Sequence, residues 1–408
     1  MPIGYLVAMA LVTWCTFFAA VAPRRPGLPA TLSFRFGLAA SELPFLGMYW
    51  IAASTSLALA QGDLASPGGL AGLAMAAASL AGLVVVTQRG ARARRVLAEA
   101  LHDGLGADWR SALDPATAAG LRRRPPLARI LLRPFLVRRR DVERIPDIPY
   151  GDAGRYHLLD VYRHRSHPEG APVLIHFHGG GYRSGRKDRE ARPLLYRLAG
   201  QGWTCVSANY RLKPDGRFPD PLVDAKRVIA WVREQGLAHG ADPSVLFLAG
   251  CSAGGHLACT AALTANDPAF QPGFEQADTS VTAVISLSGY YGSAVAEEPP
   301  PSTPAAYLRP DTPPVLLVHG DKDALVPVEN ARAFATALRD TSTAPVVYAE
   351  LPGAQHSFDL FHSLRFEAVV DAAESFAAWV RATRKSQEPR GTAAGTPTMP
   401  TRNPEPPR

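Results

Sequence analysis

The stretch LFLAGCSAGGHLA, residues 246–258, decides how this chain is read. It begins as a buried strand and ends as the first turn of a helix. At the junction, Gly250-Cys251-Ser252-Ala253-Gly254 fits the pattern G-x-S-x-G. Small residues on both sides of one serine have two readings. One is a tight turn without chemistry. The other is a nucleophile elbow, where glycines let the backbone bend sharply and lift the hydroxyl above a sheet. A base, an acid and an oxyanion hole at the right places would decide between them.

Working outward, residues from about 147 alternate short apolar runs with amphipathic ones. HLLDVY, PVLIHFH, TCVSANY, SVLFLAG, VTAVISLS, PPVLLVHG and APVVYAEL read as strands. REARPLLYRLAGQ, PLVDAKRVIAWVREQ, GGHLACTAAL, VENARAFATALRD and EAVVDAAESFAAWVRATR read as helices. This predicts an α/β fold, a mostly parallel sheet covered by helices on both faces. Reactive groups in such sheets gather at the carboxyl ends of the strands. After PVLIHF stands His178-Gly179-Gly180-Gly181-Tyr182, whose bare glycine amides suit a small anion. After PPVLLVHG stands Asp321-Lys322-Asp323, and after APVVYAELPG comes His356. The order is serine, carboxylate, histidine, each at its own strand end. A serine hydroxyl is a poor nucleophile at neutral pH; a histidine must take its proton, and a carboxylate must hold the histidine's tautomer. His176 and His178 share a strand face as metal ligands can, but no third ligand has suitable spacing, so no metal is expected.

Residues 147–385 resemble the alpha/beta-hydrolase esterases, especially the branch related to hormone-sensitive lipase. The resemblance rests on HGGGY, SANYRL, FPDPLVDAKRVIAWV, GCSAGGHLA, HGDKDALVP and PGAQHSF, in this order. It implies Ser252 as nucleophile, His356 as general base and then acid, and Asp323 as orienting acid. It implies an oxyanion hole from the N–H groups of Gly180, Gly181 and Ala253, supported by His178, Gly179, Gly250 and Gly254. The family pattern H-G-x-x-D favours Asp323 over Asp321. His356 is favoured over His362 because it lies in the strand-to-helix loop. Two departures stand out. Cys251 occupies a position where relatives often carry Asp or Glu, and the excursion after VTAVISLS is short for a lid. No cofactor is implied.

The N-terminal third is different. Ile3–Ala22, Leu43–Ala60 and Leu70–Val86 are uncharged over 20, 18 and 17 residues, each near the length that spans a hydrocarbon core of ~30 Å. They predict a membrane domain over 1–88 with three transmembrane helices, at about 3–22, 43–60 and 70–86. Arg24, Arg25 and Arg35 follow the first segment, and Arg89, Arg92, Arg94 and Arg95 follow the third. The positive-inside rule then predicts a multi-pass cell-membrane protein with a cytoplasmic catalytic domain. Ala20-Val21-Ala22 also resembles a signal-peptide cleavage site, but no Lys or Arg precedes the first segment. Residues 89–146 read as a basic amphipathic connector or cap; RRRPPLARILLRPFLVRRR (122–140) carries eight arginines and suits anionic headgroups. Residues 386–408 read as a disordered tail.

Residues 1–145 carry 17 Arg, no Lys and 8 acidic residues, so the formal net charge of +7 belongs to this third. Basicity beside apolar runs points to a membrane surface rather than nucleic acid. Cys15, Cys205, Cys251 and Cys259 lie in apolar surroundings and read as free thiols. The expected partners are therefore a small-molecule or lipid ester and a membrane; oligomeric state is not legible. The expected function is a membrane-anchored serine carboxylesterase for small or medium acyl esters. An amidase of arylformamidase type and a non-catalytic hydrolase-fold interaction protein are the alternatives.

Overall fold

The computed structural model describes residues 2–23, 27–121, 124–294 and 299–387. Four long helices come first: α1 (Ile3–Ala20), α2 (Leu28–Glu42), α3 (Pro44–Ala60) and α4 (Pro67–Leu105). Two short ones follow, α5 (Pro115–Gly120) and α6 (Leu127–Leu132). Then come β1 (Val142–Pro149), β2 (Leu158–His164), β3 (Ala171–Phe177), α7 (Arg192–Ala199), β4 (Thr204–Ala208), α8 (Asp220–Gln235), β5 (Ala241–Cys251) and α9 (Ala253–Leu263). The chain continues with β6 (Ala283–Leu287), β7 (Val315–Gly320), α10 (Val328–Thr341), β8 (Val346–Leu351) and α11 (Leu364–Gln387).

The strands form one eight-stranded sheet in the order β1-β2-β4-β3-β5-β6-β7-β8. β1–β2 and β2–β4 are antiparallel and every other pair is parallel. Central strands are buried on both faces, and their residues alternate between two cores. Val173, Ile175 and Phe177 face α8, α9 and α10, while Leu174 faces α7 and α11. Register sets the strand ends side by side: Phe177 pairs with Gly250, and Cys251 with Leu287.

The sheet has one strand more than the periodicity suggests. β1 reads VERIPDIP, and its prolines and charges hide a strand. It sits at the edge, where proline costs no ladder bond, and is bulged between Ile145 and Ile148 with Asp147 at φ +58°. The sheet thus begins at Val142, ahead of the start at 147 expected from sequence.

The N-terminal region also departs from expectation. Residues 28–42, expected to connect two apolar segments, form α2, and Gly37 lets α2 approach α1 closely: a Cβ there would lie 2.8 Å from the Phe18 carbonyl oxygen. α4 runs unbroken through residue 88. Its second half joins the hydrolase core, with Ala93, Leu97, Ala100 and Leu101 buried where α4 packs on α11 and β8. α1 and α4 are long and apolar enough to cross a membrane, and α2 with α3, bent by 82°, pass the same test only as a pair. Of the tail expected over 386–408, everything beyond Gln387 lies outside the described residues, as do Arg24 and Arg25.

Candidate active site

The elbow is built by backbone crowding. Ser252 lies at φ +54°, ψ −117°, between the end of β5 and the start of α9. This is a conformation non-glycine residues hold only when their surroundings impose it. A Cβ on Gly250 would lie 2.1 Å from the Gly254 carbonyl oxygen, and one on Gly254 would lie 2.0 Å from that of Phe177. Neither position can carry a side chain, which explains the small residues flanking the serine. The Ser252 amide donates to Leu287 O at 2.9 Å and its carbonyl accepts from His256 N at 3.1 Å.

The glycine loop follows β3. Gly180 and Gly181 have φ +112° and +61°, and a Cβ on Gly180 would strike Ser184 O at 2.0 Å. Among the described residues no acceptor engages their amides. His178 is buried, stacks on Tyr210 with ring centroids 4.5 Å apart, and its carbonyl accepts from the Tyr210 hydroxyl at 2.6 Å. Burial lowers the His178 pKa to about 4, so the ring is a neutral brace for the loop. Gly179 passes beside the elbow, where a Cβ would lie 2.9 Å from Ser252 Cβ.

His356 and Asp323 come together from the loops after β8 and β7. His356 Nδ1 is 2.6 Å from Asp323 Oδ2, while Asp323 Oδ1 accepts from the amides of Leu325 and Val326 at 2.9 and 2.8 Å. His319 Nε2 lies 3.3 Å from Asp323 Oδ2. Burial opposes ionisation of Asp323, but His356 and His319 outweigh it and hold the carboxyl below the usual carboxylate range. Burial also opposes charging His356, but Asp323, then Asp359 and Glu190, raise it above its ordinary value. The alternatives point elsewhere: Asp321 accepts from the Gly353 amide at 2.7 Å, and His362, just before α11, pairs with Glu367 in the first turn of that helix. Ser252, His356, Gly180, Gly181 and Ala253 line one cavity of ≈ 610 Å³.

Four residues of the site were not singled out from sequence. Glu190 accepts from the Gly179 amide. Asp359 accepts from the Cys251 thiol and from the Ala191 amide, both at 3.0 Å. The carboxylate expected at position 251 is thus supplied from the loop after His356. Ligand atoms of Glu190, Cys251 and Asp359 lie within 4.8 Å of one another. Burial, then Asp359 and Glu190, raises the Cys251 thiol, which keeps its proton and donates it, the reverse of a thiolate ligand. The third is Phe34 of α2, whose ring lies 6.2 Å from His356 and lines the cavity. The fourth is Gln355: its Oε1 accepts from His356 N at 3.0 Å and Ala324 N at 2.7 Å, and its Nε2 donates to Ser33 Oγ at 3.2 Å. Among the described residues of 96–146 none lines the cavity, whereas Phe34 of α2 does.

Residues 159–292 match the protein-family model described as BD-FAE. The probable carboxylic ester hydrolase LipM of Mycobacterium tuberculosis is 37% identical over 97% of this chain and 97% of its own length. This chain belongs to the alpha/beta-hydrolase carboxylesterases of the hormone-sensitive-lipase type. Esterase LipQ of the same organism is 39% identical over 70% of the carboxylesterase chain and 74% of its own. Among solved structures, Thermogutta terrifontis esterase 2 superimposes with a TM-score of 0.51 at 25% identity, covering 58% of this chain and 94% of that one. The likeness to LipM runs into the N-terminal helices, whereas the likeness to the solved esterase spans little more than half of the carboxylesterase chain.

Proposed function

We propose that this carboxylesterase works by a Ser252–His356–Asp323 triad. The observation that carries this reading is the Asp323–His356 contact of 2.6 Å, with His356 sharing one cavity with the strained Ser252 and the glycine loop. His356 takes the Ser252 proton as Oγ bonds to the ester carbonyl carbon. The amides of Gly180, Gly181 and Ala253 receive the oxyanion; Ala253 opens α9, whose positive end favours it. His356 then protonates the departing alkoxide as the C–O bond breaks. Water, deprotonated by His356, releases the acid and restores Ser252. Asp323, held ionised, stabilises each imidazolium.

The N-terminal helices anchor the enzyme. The outward faces of α1 and α4 are apolar, with Leu11, Trp14, Phe17, Leu80 and Val84 exposed. Segment 127–136 adds exposed Leu132, Phe135 and Leu136 among arginines, and Phe135 packs 5.6 Å from Phe361 in the loop after His356. This surface suits an anionic leaflet beside the active-site mouth. The enzyme then sits on the cytoplasmic side and takes small or medium acyl esters, including esters carried in the lipid phase.

A substrate panel tests the chemistry. Full-length protein should hydrolyse p-nitrophenyl esters faster than N-formyl anilides, and Ser252→Ala should abolish both. Preference for the anilides would favour an amidase. Full activity in Ser252→Ala would remove the triad assignment. The Thermogutta relative has been captured phosphoramylated by tabun, which makes organophosphorus capture a direct probe of the nucleophile.

A further inference from the structure

We propose that helix α2 forms the leaving-group side of the active site and that Phe34 selects esters of apolar alcohols. The proposal rests on the esterase reading above and adds to it the substrate feature that is selected. The departing alkoxide takes its proton from His356, so the alcohol part of the substrate must lie beside that imidazole. The Phe34 ring stands beside it at 6.2 Å, edge-on with an interplanar angle of 64°. Leu325 and Val326, whose amides donate to Asp323 behind His356, are the apolar residues of the acid loop in the lining, which also includes the polar Arg183, Arg189, Lys213, Glu190 and Ser293.

Phe34 is held in register with the catalytic loops. Its neighbour Ser33 is fully buried and accepts from Gln355, the same side chain that receives the amides of His356 and Ala324. One amide group therefore ties α2, the histidine loop and the acid loop together. At the far end of α2, buried Glu42 accepts from Ser363 at 2.7 Å and pairs with Arg365 at 3.0 Å, just beyond the same histidine loop. α2 thus cannot shift without moving the residues around His356. It also joins α1 to α3, whose exposed Trp14, Phe17, Tyr49 and Trp50 give that flank an apolar surface.

The test uses full-length protein in detergent and two ester series followed by pH-stat titration. One series varies the alcohol (ethyl, butyl and hexyl butyrate) and the other the acid (ethyl butyrate, hexanoate and octanoate). Each methylene moved out of water is worth about fourfold in binding. Phe34→Ala should lower the hexyl-to-ethyl butyrate ratio of kcat/KM by about tenfold, mainly through KM, and leave the octanoate-to-butyrate ratio within about twofold. Phe34→Leu should restore part of the alcohol preference. Fluorophosphonate labelling of each variant reports whether the nucleophile site is assembled; if Phe34→Ala is not labelled, the ratio in Phe34→Leu decides. An unchanged alcohol ratio, or equal losses in both series, would overturn the proposal. Wild-type protein that cleaves no ester and takes no label would instead overturn the esterase reading beneath it.

Discussion

The elbow at Ser252 and the α2 wall meet in one cavity but are held by opposite means. The elbow depends on backbone packed so tightly that Gly250 and Gly254 have no space for a methyl group. The wall depends on a few buried side-chain contacts, Gln355 to Ser33 and Arg365 to Glu42, between segments more than 320 positions apart. Crowded backbone leaves a reacting atom no alternative position. Side-chain clamps instead attach a separate element whose identity can vary while the chemistry stays in place. The edge of the sheet that carries Ser252 is therefore held by its backbone, and the part proposed to set substrate preference is joined to it at a few points.

The largest expected effect falls on the chemistry itself. Asp323→Asn should reduce turnover by roughly 10⁴-fold, the scale of losing the orienting carboxylate in a serine triad, while Asp321→Asn should cost far less; steady-state kinetics on one soluble ester would show a reversed ranking if the acid is misassigned. Next come the clamps. Arg365→Met removes the charged partner of buried Glu42, a change worth about 3–5 kcal/mol, and should lower the thermal midpoint in detergent sharply. Arg365→Met melting like wild type would mean that α2 is not fastened as described. Gly254→Ala should destabilise by about 3 kcal/mol through overpacking, and unlike the clamp variant it should also abolish labelling of the nucleophile. Equal labelling of both variants would erase the contrast between the two regions.

The smallest effect is on pH. In the proposed triad His356 can act as a base only when neutral, and Asp323, with Asp359 and Glu190, raises its pKa above the ordinary histidine value of 6.5 against the effect of burial. The acid limb of kcat/KM should therefore have its midpoint above 6.5 and move down in Asp359→Asn, which removes one of the raising charges. A midpoint at or below 6.5 in the wild type would contradict the electrostatic account of the site.

Much of the fold could be read from sequence because its signals are local. Short continuous apolar runs mark the central strands, and glycines flanking Ser252 and following His178 mark turns that no other residue can make. β1 was hidden because an edge strand tolerates the prolines that argue against a strand elsewhere. α2 was hidden because LPATLSFRFGLAASE has Arg35, Gly37 and two serines between two apolar segments and reads as a connection. Its helix is stabilised by α1 and by the hydrolase core, and no pattern in residues 28–42 announces contacts with residues 355–365. The Asp359 carboxylate had a weak signal, three residues beyond His356, but only the fold shows that it faces Cys251.

The most direct test of the central claim is to react full-length protein with a fluorophosphonate and map the adduct by peptide mass spectrometry. One adduct, on the peptide containing Ser252, formed at a rate that falls steeply in His356→Ala, is the predicted result. An adduct on Ser184 beside the glycine loop or on Ser288 just after β6, or labelling of Ser252 that does not depend on His356, would contradict it.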